Sequence, residues 1–537
     1  MTRVRSWSYW LCAIAALAAF AIIALLPVGA VLFRSLWNDH GFSLDVYRAV
    51  LTEGRQWDLL ANSLTIAAGT TLLATLLGAS VGFLIEYHRV PGRALLGPCI
   101  AAAFLIPPQI AAIAWIDLLG RNGFLARAVK HMLGASVSFP NVYTVGGVVL
   151  VLTLCCYPIV VLTTVVWLRR FDERLEEAGR LTSSDKRVFR AIMLPIVAPG
   201  ILTGALFVFV LCLIELGVPS LLQVNTYPVE LYASSAYADF PAATAQSLPL
   251  VACGCLALAV WVLYIRPRQA WLTGAARQHR PRRGRRSVRV LGASCCWSVA
   301  IVSTVLPVAV LVYRTLPLRS FVEVWQTAKE EIATSFVVAA VSATVLVALA
   351  LPLAYFSRGR AWLSRFCALS LIPFMISGPM IGMGLIGLWN RPGPMGLVYD
   401  SLLIIVLACV ARFIFFAHQG LAGAFRDLHP RLEEAAVVAG APWWRQLTEV
   451  FIPLLRPTLV ALWGLAFIFS FRELDAAVLV TPPGRTPLSV RLFTLMHYGP
   501  SRLVAALSVL TVAVILASGV GTMVLYTRWR RLLVERN

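Results

Sequence analysis

The sequence predicts an all-α membrane protein with about 12 transmembrane helices, arranged as two parallel six-helix repeats. Hydrophobic residues make up 59% of the 537 residues and charged residues 13%, and the mean hydropathy is +0.80. These values exclude an ordinary soluble domain. Apolar runs of about 20 residues, the length that crosses a hydrocarbon core roughly 30 Å thick, recur along the chain. A short polar pattern occurs once in each half, which indicates an internal repeat.

Twelve apolar runs are long enough to cross a membrane, six in each half. They cover residues 8–33, 59–86, 94–119, 142–167, 198–222, 247–265, 291–313, 331–357, 363–389, 395–417, 456–480 and 503–526. The first run follows Arg3 and Arg5, as the apolar core of a signal peptide would. It is too long for such a core and has no convincing cleavage site, so we expect an uncleaved span.

The net charge of +21 suggests nucleic-acid binding, but the distribution of the charges argues against it. With the N-terminus placed inside, 31 of the 46 Lys and Arg residues lie in cytoplasmic segments and 13 in outer segments. This excess is the positive-inside bias of membrane proteins. We therefore expect a bacterial inner-membrane protein with both termini in the cytoplasm, and no nucleic-acid partner.

The spans divide the chain into two units, each preceded by one further span. Residues 266–290, with nine arginines and no acidic residue, form a basic cytoplasmic linker between the halves. Attraction to anionic lipid headgroups explains such a segment more simply than a nucleic-acid site does. The predicted segments are 1–58 (first span and outer segment), 59–265 (unit 1), 266–290 (linker), 291–330 (seventh span and outer segment), 331–526 (unit 2) and 527–537 (cytoplasmic tail).

The polar pattern in the second half is residues 432–440, Leu-Glu-Glu-Ala-Ala-Val-Val-Ala-Gly. It is too short and too polar to cross a membrane, and it has the signals of a short helix. Asp427 and Pro430 are candidate start signals, and Gly440 is suited to the left-handed residue that follows a helix. A second short helix is expected to begin at Pro442 and to end before Pro453.

A degenerate copy lies at residues 175–183 of the first half. Glu177 and Glu434 are 257 positions apart, and the closing prolines Pro195 and Pro453 are 258 apart. The first copy has Gly179 where the second has an alanine. It also has Ser183 in place of the turn glycine, so its turn should be less sharply specified.

The pattern resembles the EAA loop of permease subunits of binding-protein-dependent ABC importers. The resemblance implies that each unit has a type I ABC permease core, and that each loop is a cytoplasmic coupling helix that docks on an ATPase subunit. It also implies two ATPase copies and a periplasmic solute-binding protein as partners. The coupling residues on this basis are Glu177, Ala178, Gly179, Ser183, Pro195, Glu434, Ala435, Ala436, Gly440 and Pro453.

Five residues at membrane depth are candidates for the translocation path. Pro107 and Pro373 interrupt the third and ninth spans, where each indicates a kink. Glu215 and Glu473 are 258 positions apart, and Asp475 follows the second of them. Carboxylates at this depth face a cavity or a partner, so a structural role and a pathway role both remain open. The adjacent Arg472 is the expected partner of the second-half carboxylates.

The chain has no nucleotide-binding or metal-binding motif. Its three lysines follow Val129, Asp185 and Ala328, so no G-x-x-x-x-G-K-[ST] loop is present, and ATP hydrolysis would belong to separate subunits. We expect no bound cofactor, no metal site and no enzymatic activity in this chain. The eleven cysteines lie in apolar runs without C-x-x-C spacing, and we interpret them as packing residues.

The two-unit length, with Glu-Leu-Gly-Val-Pro in the first half and Arg-Glu-Leu-Asp in the second, is most similar to the ferric-iron permeases. Permeases for thiamine or phosphonates, or for another small solute, are alternatives within the same class. An ion-coupled secondary transporter with parallel six-helix repeats is the alternative from another class. The paired loops favour the ABC permease, because an ion-coupled carrier has no use for them.

Overall fold

A computed structural model of the protein describes most of the chain. The described residues are 7–38, 41–42, 44–87, 90–121, 123–133, 141–236, 240–265, 286–316, 319–358 and 360–535. The predicted linker lies largely outside these residues. Its last residues, 286–290, belong to a helix that begins at Arg286.

In the described part of the first half, twelve helices follow one another, and a short antiparallel strand pair, β1 (Trp37–Asn38) with β2 (Gly41–Phe42), lies between the first two. The helices are α1 (Trp7–Leu36), α2 (Asp45–Thr52), α3 (Gly54–Tyr87), α4 (Arg93–Leu105), α5 (Pro108–Leu119), α6 (Phe124–Leu133), α7 (Val145–Leu168), α8 (Glu173–Thr182), α9 (Asp185–Leu213), α10 (Gly217–Leu221), α11 (Tyr227–Ala236) and α12 (Phe240–Val260).

The second half repeats this order. Its helices are α13 (Arg286–Arg314), α14 (Arg319–Ser357), α15 (Ala361–Ala368), α16 (Leu371–Met375), α17 (Gly378–Trp389), α18 (Pro394–Tyr399), α19 (Leu403–Asp427), α20 (Pro430–Val438), α21 (Trp443–Phe471), α22 (Ala477–Val480), α23 (Leu488–Tyr498) and α24 (Ser501–Glu535). The all-α class and the two parallel repeats are confirmed.

Among the described residues, ten helices are long and apolar enough to cross a membrane, and two bent helix pairs bring the number to as many as 12. The bent pairs are the predicted third and ninth spans. Their arms meet at 96° and 107°, so each predicted kink is a break between two helices rather than a bend within one. Pro107 lies at the first bend. Pro373 lies inside α16, before the second bend at Ser377, so the two prolines are not structurally equivalent.

Several helix ends differ from the sequence prediction. The predicted spans 198–222 and 456–480 end earlier, at Leu213 and Phe471, which leaves the carboxylates beyond the helices. The tenth span begins at Leu403 rather than at residue 395, because α18 forms a separate short helix.

Four π-helical turns precede a proline by the same spacing. The prolines are Pro27, Pro195, Pro307 and Pro453, and each is the second residue after its π turn. Proline cannot donate to the preceding turn, and its ring clashes with a carbonyl there. A π turn is one way to relieve this conflict without ending the helix. The predicted helix end before Pro453 is therefore wrong, because α21 runs through this residue.

The first helix of each half packs against the other unit. Tyr9 of α1 contacts Phe356 of α14, with ring centroids 4.7 Å apart. Thr304 of α13 donates a 2.9 Å hydrogen bond to the carbonyl of Cys99 in α4. The start of α1 also lies beside the second polar loop, where Trp443 Nε1 donates to Ser8 at 3.1 Å. The opposite end of α1 therefore lies at the other end of the helical bundle.

Glycines in α3, the first span of unit 1, allow close helix packing. A Cβ added at Gly78 would lie 2.6 Å from the carbonyl oxygen of Tyr157, and one at Gly82 would lie 2.9 Å from Thr164. The backbones of α3 and α7 therefore approach closely, as small residues permit in membrane proteins.

Candidate functional site

The first polar loop is the helix α8, and the protein holds it through a buried carboxylate. Asp172 caps the helix by accepting from Arg174 N at 3.0 Å. Glu176, 3% exposed, accepts hydrogen bonds from Tyr87 and from Arg180 Nε, the latter at 3.0 Å. Arg180 also pairs with Asp185 at 2.9 Å. Burial lowers the pKa of Arg180, but these neighbours outweigh it and raise this pKa above its usual value.

Two residues that depart from the resemblance have local causes in α8. A Cβ at Gly179 would lie 2.6 Å from Ile192 Cδ1, so the missing side chain lets α8 pack closely on α9. Ser183 ends the helix in an extended conformation, with φ −148°. An extended residue needs no glycine, so the loss of glycine at this position creates no strain.

The second polar loop is the helix α20, which ends in a glycine turn. Gly440 has φ +77°, as the sequence predicted. Its N–H bonds to the carbonyl of Val437, and Ala441 N bonds to that of Ala436, both at 3.0 Å. These two bonds form a Schellman motif, which requires a left-handed residue at this position.

The start and the anchor of α20 also differ from those of α8. Pro430 begins the helix as predicted, whereas Asp427 belongs to the end of α19, and His429 provides the cap instead. Glu433, equivalent to Glu176, forms an ion pair with Arg358 at 3.2 Å and is 37% exposed. Glu176 thus links α8 to Tyr87 at the end of α3, and Glu433 links α20 to Arg358, the residue after α14.

Both loop helices present an apolar row to the outside. Leu181 and Val438 are 257 positions apart and are 89% and 88% exposed. Leu175 and Leu432 are related in the same way and are 48% and 38% exposed. With the exposed alanines Ala178 and Ala435 between them, the rows have a three-residue spacing, which places each row on one face of its helix. Glu177 and Glu434 are exposed beside them.

The carboxylates at membrane depth form an ion-pair cluster in the second half. Arg412 in α19 bonds to Glu473 Oε1 and Asp475 Oδ2, each at 2.5 Å, and all three side chains are largely buried. The expected partner, Arg472, instead donates to the carbonyl of Phe104 in the first unit at 2.7 Å. That prediction is corrected: the two carboxylates have one shared partner from the preceding long helix.

Glu215 lies at the equivalent place in the first half, after the end of α9 and beside the second arm of the first bent span. Its Oε1 accepts from Val218 N at 3.4 Å. A Cβ at Gly217 would contact Gln109 of α5 at 3.1 Å, and one at Gly378 of α17 would overlap Asp475 at 2.2 Å. The segment after each helix end therefore packs on the second arm of a bent span.

Aromatic contacts join the two units at this depth. The Phe104 and Phe469 rings are edge-on, with centroids 6.0 Å apart, and Phe207 stacks on Phe374 at 5.4 Å. The two rings of each pair belong to different units. Pro107 follows Phe104 by three residues and Pro373 precedes Phe374, so both prolines lie beside contacts between the units.

Arg412 is the functional candidate that sequence reasoning missed. Apart from Arg365 and Arg456 at the inner ends of their spans, only Arg412 and Arg472 fall within predicted spans. Unpaired charges at this depth are costly, so both arginines are candidate partners of the acidic residues. Adjacency in sequence favoured the wrong arginine. Within the described ranges, no group of three or more His, Cys, Asp or Glu side chains is placed to hold a metal ion.

Comparison with known proteins identifies the class of this fold. The family described as binding-protein-dependent transport system inner membrane component matches the chain twice, over residues 74–271 and 340–532. The two matches together cover more than half of the chain, and one falls in each repeat.

Three curated relatives illustrate the range of similarity. A probable ABC transporter permease protein of Sinorhizobium fredii is 23% identical over 528 residues, 91% of both chains. An Fe(3+)-transport system permease protein of Haemophilus influenzae is 23% identical over 456 residues, 82% of this chain and 84% of that protein. A molybdenum transport system permease protein of Escherichia coli is 27% identical over 163 residues, 30% of this chain and 69% of that protein. With its two matched units and its multi-pass helical fold, the chain belongs to the family of binding-protein-dependent ABC transporter permeases.

Proposed function

We propose that this permease couples ATP hydrolysis by separate subunits to solute import through α8 and α20. The observation that carries the proposal is the pair of exposed apolar rows, Leu175–Leu181 and Leu432–Val438, at the same spacing in both repeats. Exposed leucine and valine on a short helix outside the spans favour docking into an apolar groove. Two such helices suit two copies of an ABC ATPase subunit.

The proposed topology follows from the same loops. The loops carry the ATPases and lie in the cytoplasm, so the start of α1, which packs beside Trp443, lies there too. The C-terminal end of α24 carries Arg528, Arg530 and Arg531, which suits the same side. A periplasmic binding protein would deliver the solute at the opposite end. This chain would bind no cofactor of its own.

Docking is tested by co-purification with the cognate ATPase. The Leu181→Ser and Val438→Ser substitutions should each reduce the ATPase recovered, and the double variant should abolish recovery. Met132→Ser, which makes the same apolar-to-polar exchange at a residue that is 81% exposed on α6, is the matched control. Full ATPase recovery with the double variant would contradict the docking proposal.

We further propose that Glu215, Glu473 and Asp475 fix helix positions or provide polar lining, and that none carries a proton in the transport cycle. The ion pairs of Glu473 and Asp475 with Arg412 support this role, since both carboxylates are buried and bonded to one guanidinium, which fixes their positions. A proton carrier must lose and regain its proton in every cycle, so its amide variant loses transport completely. The amide variants here should retain partial transport.

The energy source is tested in vesicles that contain the permease, its ATPase and its binding protein, with proton and sodium gradients collapsed. Uptake should continue with ATP and stop with a non-hydrolysable analogue. Uptake that follows an ion gradient and ignores ATP would favour the secondary-transporter alternative.

Ferric iron is the proposed solute. The support is the extent of similarity, since the Fe(3+) relative matches 82% of this chain and the molybdenum relative matches 30%. Thiamine, phosphonates and other small solutes are the alternatives. Binding of each candidate to the cognate binding protein, followed by uptake of the radiolabelled solute, tests the assignment. Uptake of another solute without uptake of ferric iron would contradict it while leaving the ABC mechanism intact.

A further inference from the structure

The first helix of each half ends in the same sequence pattern. Residues 26–36, LPVGAVLFRSL, correspond to residues 306–316, LPVAVLVYRTL, and both follow a π turn. The correspondence places Arg34 at the equivalent position to Arg314, 280 residues apart. Each arginine lies near the end of its helix and faces the second arm of a bent span in the other unit.

Those second arms correspond just as closely. Helices α5 and α17 both have 12 residues and are offset by 270 positions, so Asp117 corresponds to Gly387 and Arg121 to Arg391. In the first of these two places, Arg314 Nη2 lies 2.5 Å from Asp117 Oδ1. This carboxylate is only 11% exposed, so the guanidinium there is neutralised by a largely buried partner.

At the equivalent position in the other half, Gly387 replaces the aspartate, so no carboxylate faces Arg34 from this position. Arg34 lies across Gly387, with Nη1 2.6 Å from the position that a Cβ would occupy. The helices are also closer here, because a Cβ at Gly384 would overlap the Pro27 carbonyl oxygen at 2.4 Å. Among the residues that the structure describes, neither Arg34 nor Arg391 has an ion-pair partner.

A cavity of about 250 Å³ opens at this place. Its polar lining comes from Arg34, Arg391, Asn390 and Thr244, and none of its ten lining residues is acidic. Sites for drug-sized ligands have volumes of about 300–1,000 Å³, so this cavity suits a smaller group. The cavity lies at the end of α1 that is remote from α8 and α20.

We propose that this cavity binds a phosphate-type oxyanion, in the place that the Asp117 carboxylate fills in the other half. A guanidinium presents two parallel donors to such a group, and a second arginine adds charge. The oxyanion could be the phosphate of a lipid headgroup or a free anion, and the recognising chemistry is the same for both. The site is independent of the ATPase docking proposed above.

Binding to the full-length permease, purified with its ATPase, tests the proposal in two arms. In the first arm, native mass spectrometry measures retention of phosphatidylglycerol against phosphatidylcholine. In the second arm, titration calorimetry measures inorganic phosphate with zwitterionic lipid only. Preference for phosphatidylglycerol in the first arm identifies a lipid, and heat of binding in the second identifies a free anion.

Arg34→Gln should weaken binding about tenfold in whichever arm binds, which corresponds to about 1.4 kcal/mol. Gly387→Asp should abolish binding, since it supplies the carboxylate within the chain. Arg485→Gln, which removes an exposed arginine outside the cavity, should leave binding unchanged.

Two results would overturn the proposal. One is the absence of binding in both arms, and the other is an Arg485→Gln variant that loses as much affinity as Arg34→Gln. If Gly387→Asp does not fold, Arg391→Gln provides the second test, with an expected loss smaller than that of Arg34→Gln.

Discussion

The helices α8 and α20 occupy equivalent positions in the two repeats, but different interactions hold them. Helix α20 depends on a backbone feature, the left-handed Gly440, and on a half-exposed ion pair at Glu433. Helix α8 has an extended Ser183, a buried Glu176 and a close contact at Gly179. Departures from a sequence pattern can therefore mark a change in how an element is held. They need not mark a loss of the element.

The two halves also differ at membrane depth, where we expect the largest loss of stability on substitution. Arg412→Gln should leave Glu473 and Asp475 without their shared cation, at a cost of about 3–5 kcal/mol. Glu215→Gln in the first half should cost much less, because Glu215 forms no ion pair with any described residue. Thermal unfolding in detergent and the yield of folded protein measure both. Equal melting temperatures for the two variants would contradict the assigned role of Arg412.

The turns that end α8 and α20 give the second largest expected effect. Gly440→Val forces a β-branched residue into a left-handed conformation, at a cost of roughly 1–2 kcal/mol or more, and should strongly reduce ATPase association. Ser183→Val should be tolerated, because valine adopts extended backbone readily. Co-purification with the ATPase measures both, and transport should depend on the second loop more than on the first. Greater damage from Ser183→Val would show that the turns do not set this order.

The contact at Gly179 gives a smaller difference in stability between the two loops. Gly179→Ala places a Cβ against Ile192, and overpacking of this kind costs about 1–3 kcal/mol, here at the lower end because the contacting atom ends a flexible chain. Ile192→Val in the same chain should restore part of the loss. Ala436→Gly is the matched change in the second loop. Unfolding measurements that show no rescue would place the strain elsewhere.

The smallest effect is expected at Glu433. Its pair with Arg358 is partly exposed, so Glu433→Gln should change stability by no more than about 1 kcal/mol. Glu176→Gln should cost more, because this carboxylate is buried and hydrogen-bonded. Denaturation at low and at high salt distinguishes them, since screening weakens only the exposed pair. The reverse order would mean that burial does not distinguish the two anchors.

Local patterns in the sequence were enough to locate every span and both loops. The left-handed Gly440 and the helix start at Pro430 were predictable because each depends on one residue's own backbone preference. The sequence could not decide between Arg412 and Arg472 as the partner of Glu473, because Arg412 is 61 positions away and only packing of α19 against α21 brings it to the carboxylate. The sequence predicted a kink in each of these spans but not a bend of about 90°, because a proline in an apolar run does not indicate the bend angle.

The exchange of first helices between units has a consequence for how the chain is made. Helix α1 is synthesised long before its partners Phe356 and Trp443, which follow more than 300 residues later. Unit 1 similarly lacks the partner of Asp117 until Arg314 has emerged. Neither unit is therefore a complete folding unit during translation, and each half needs the other to finish its assembly in the membrane.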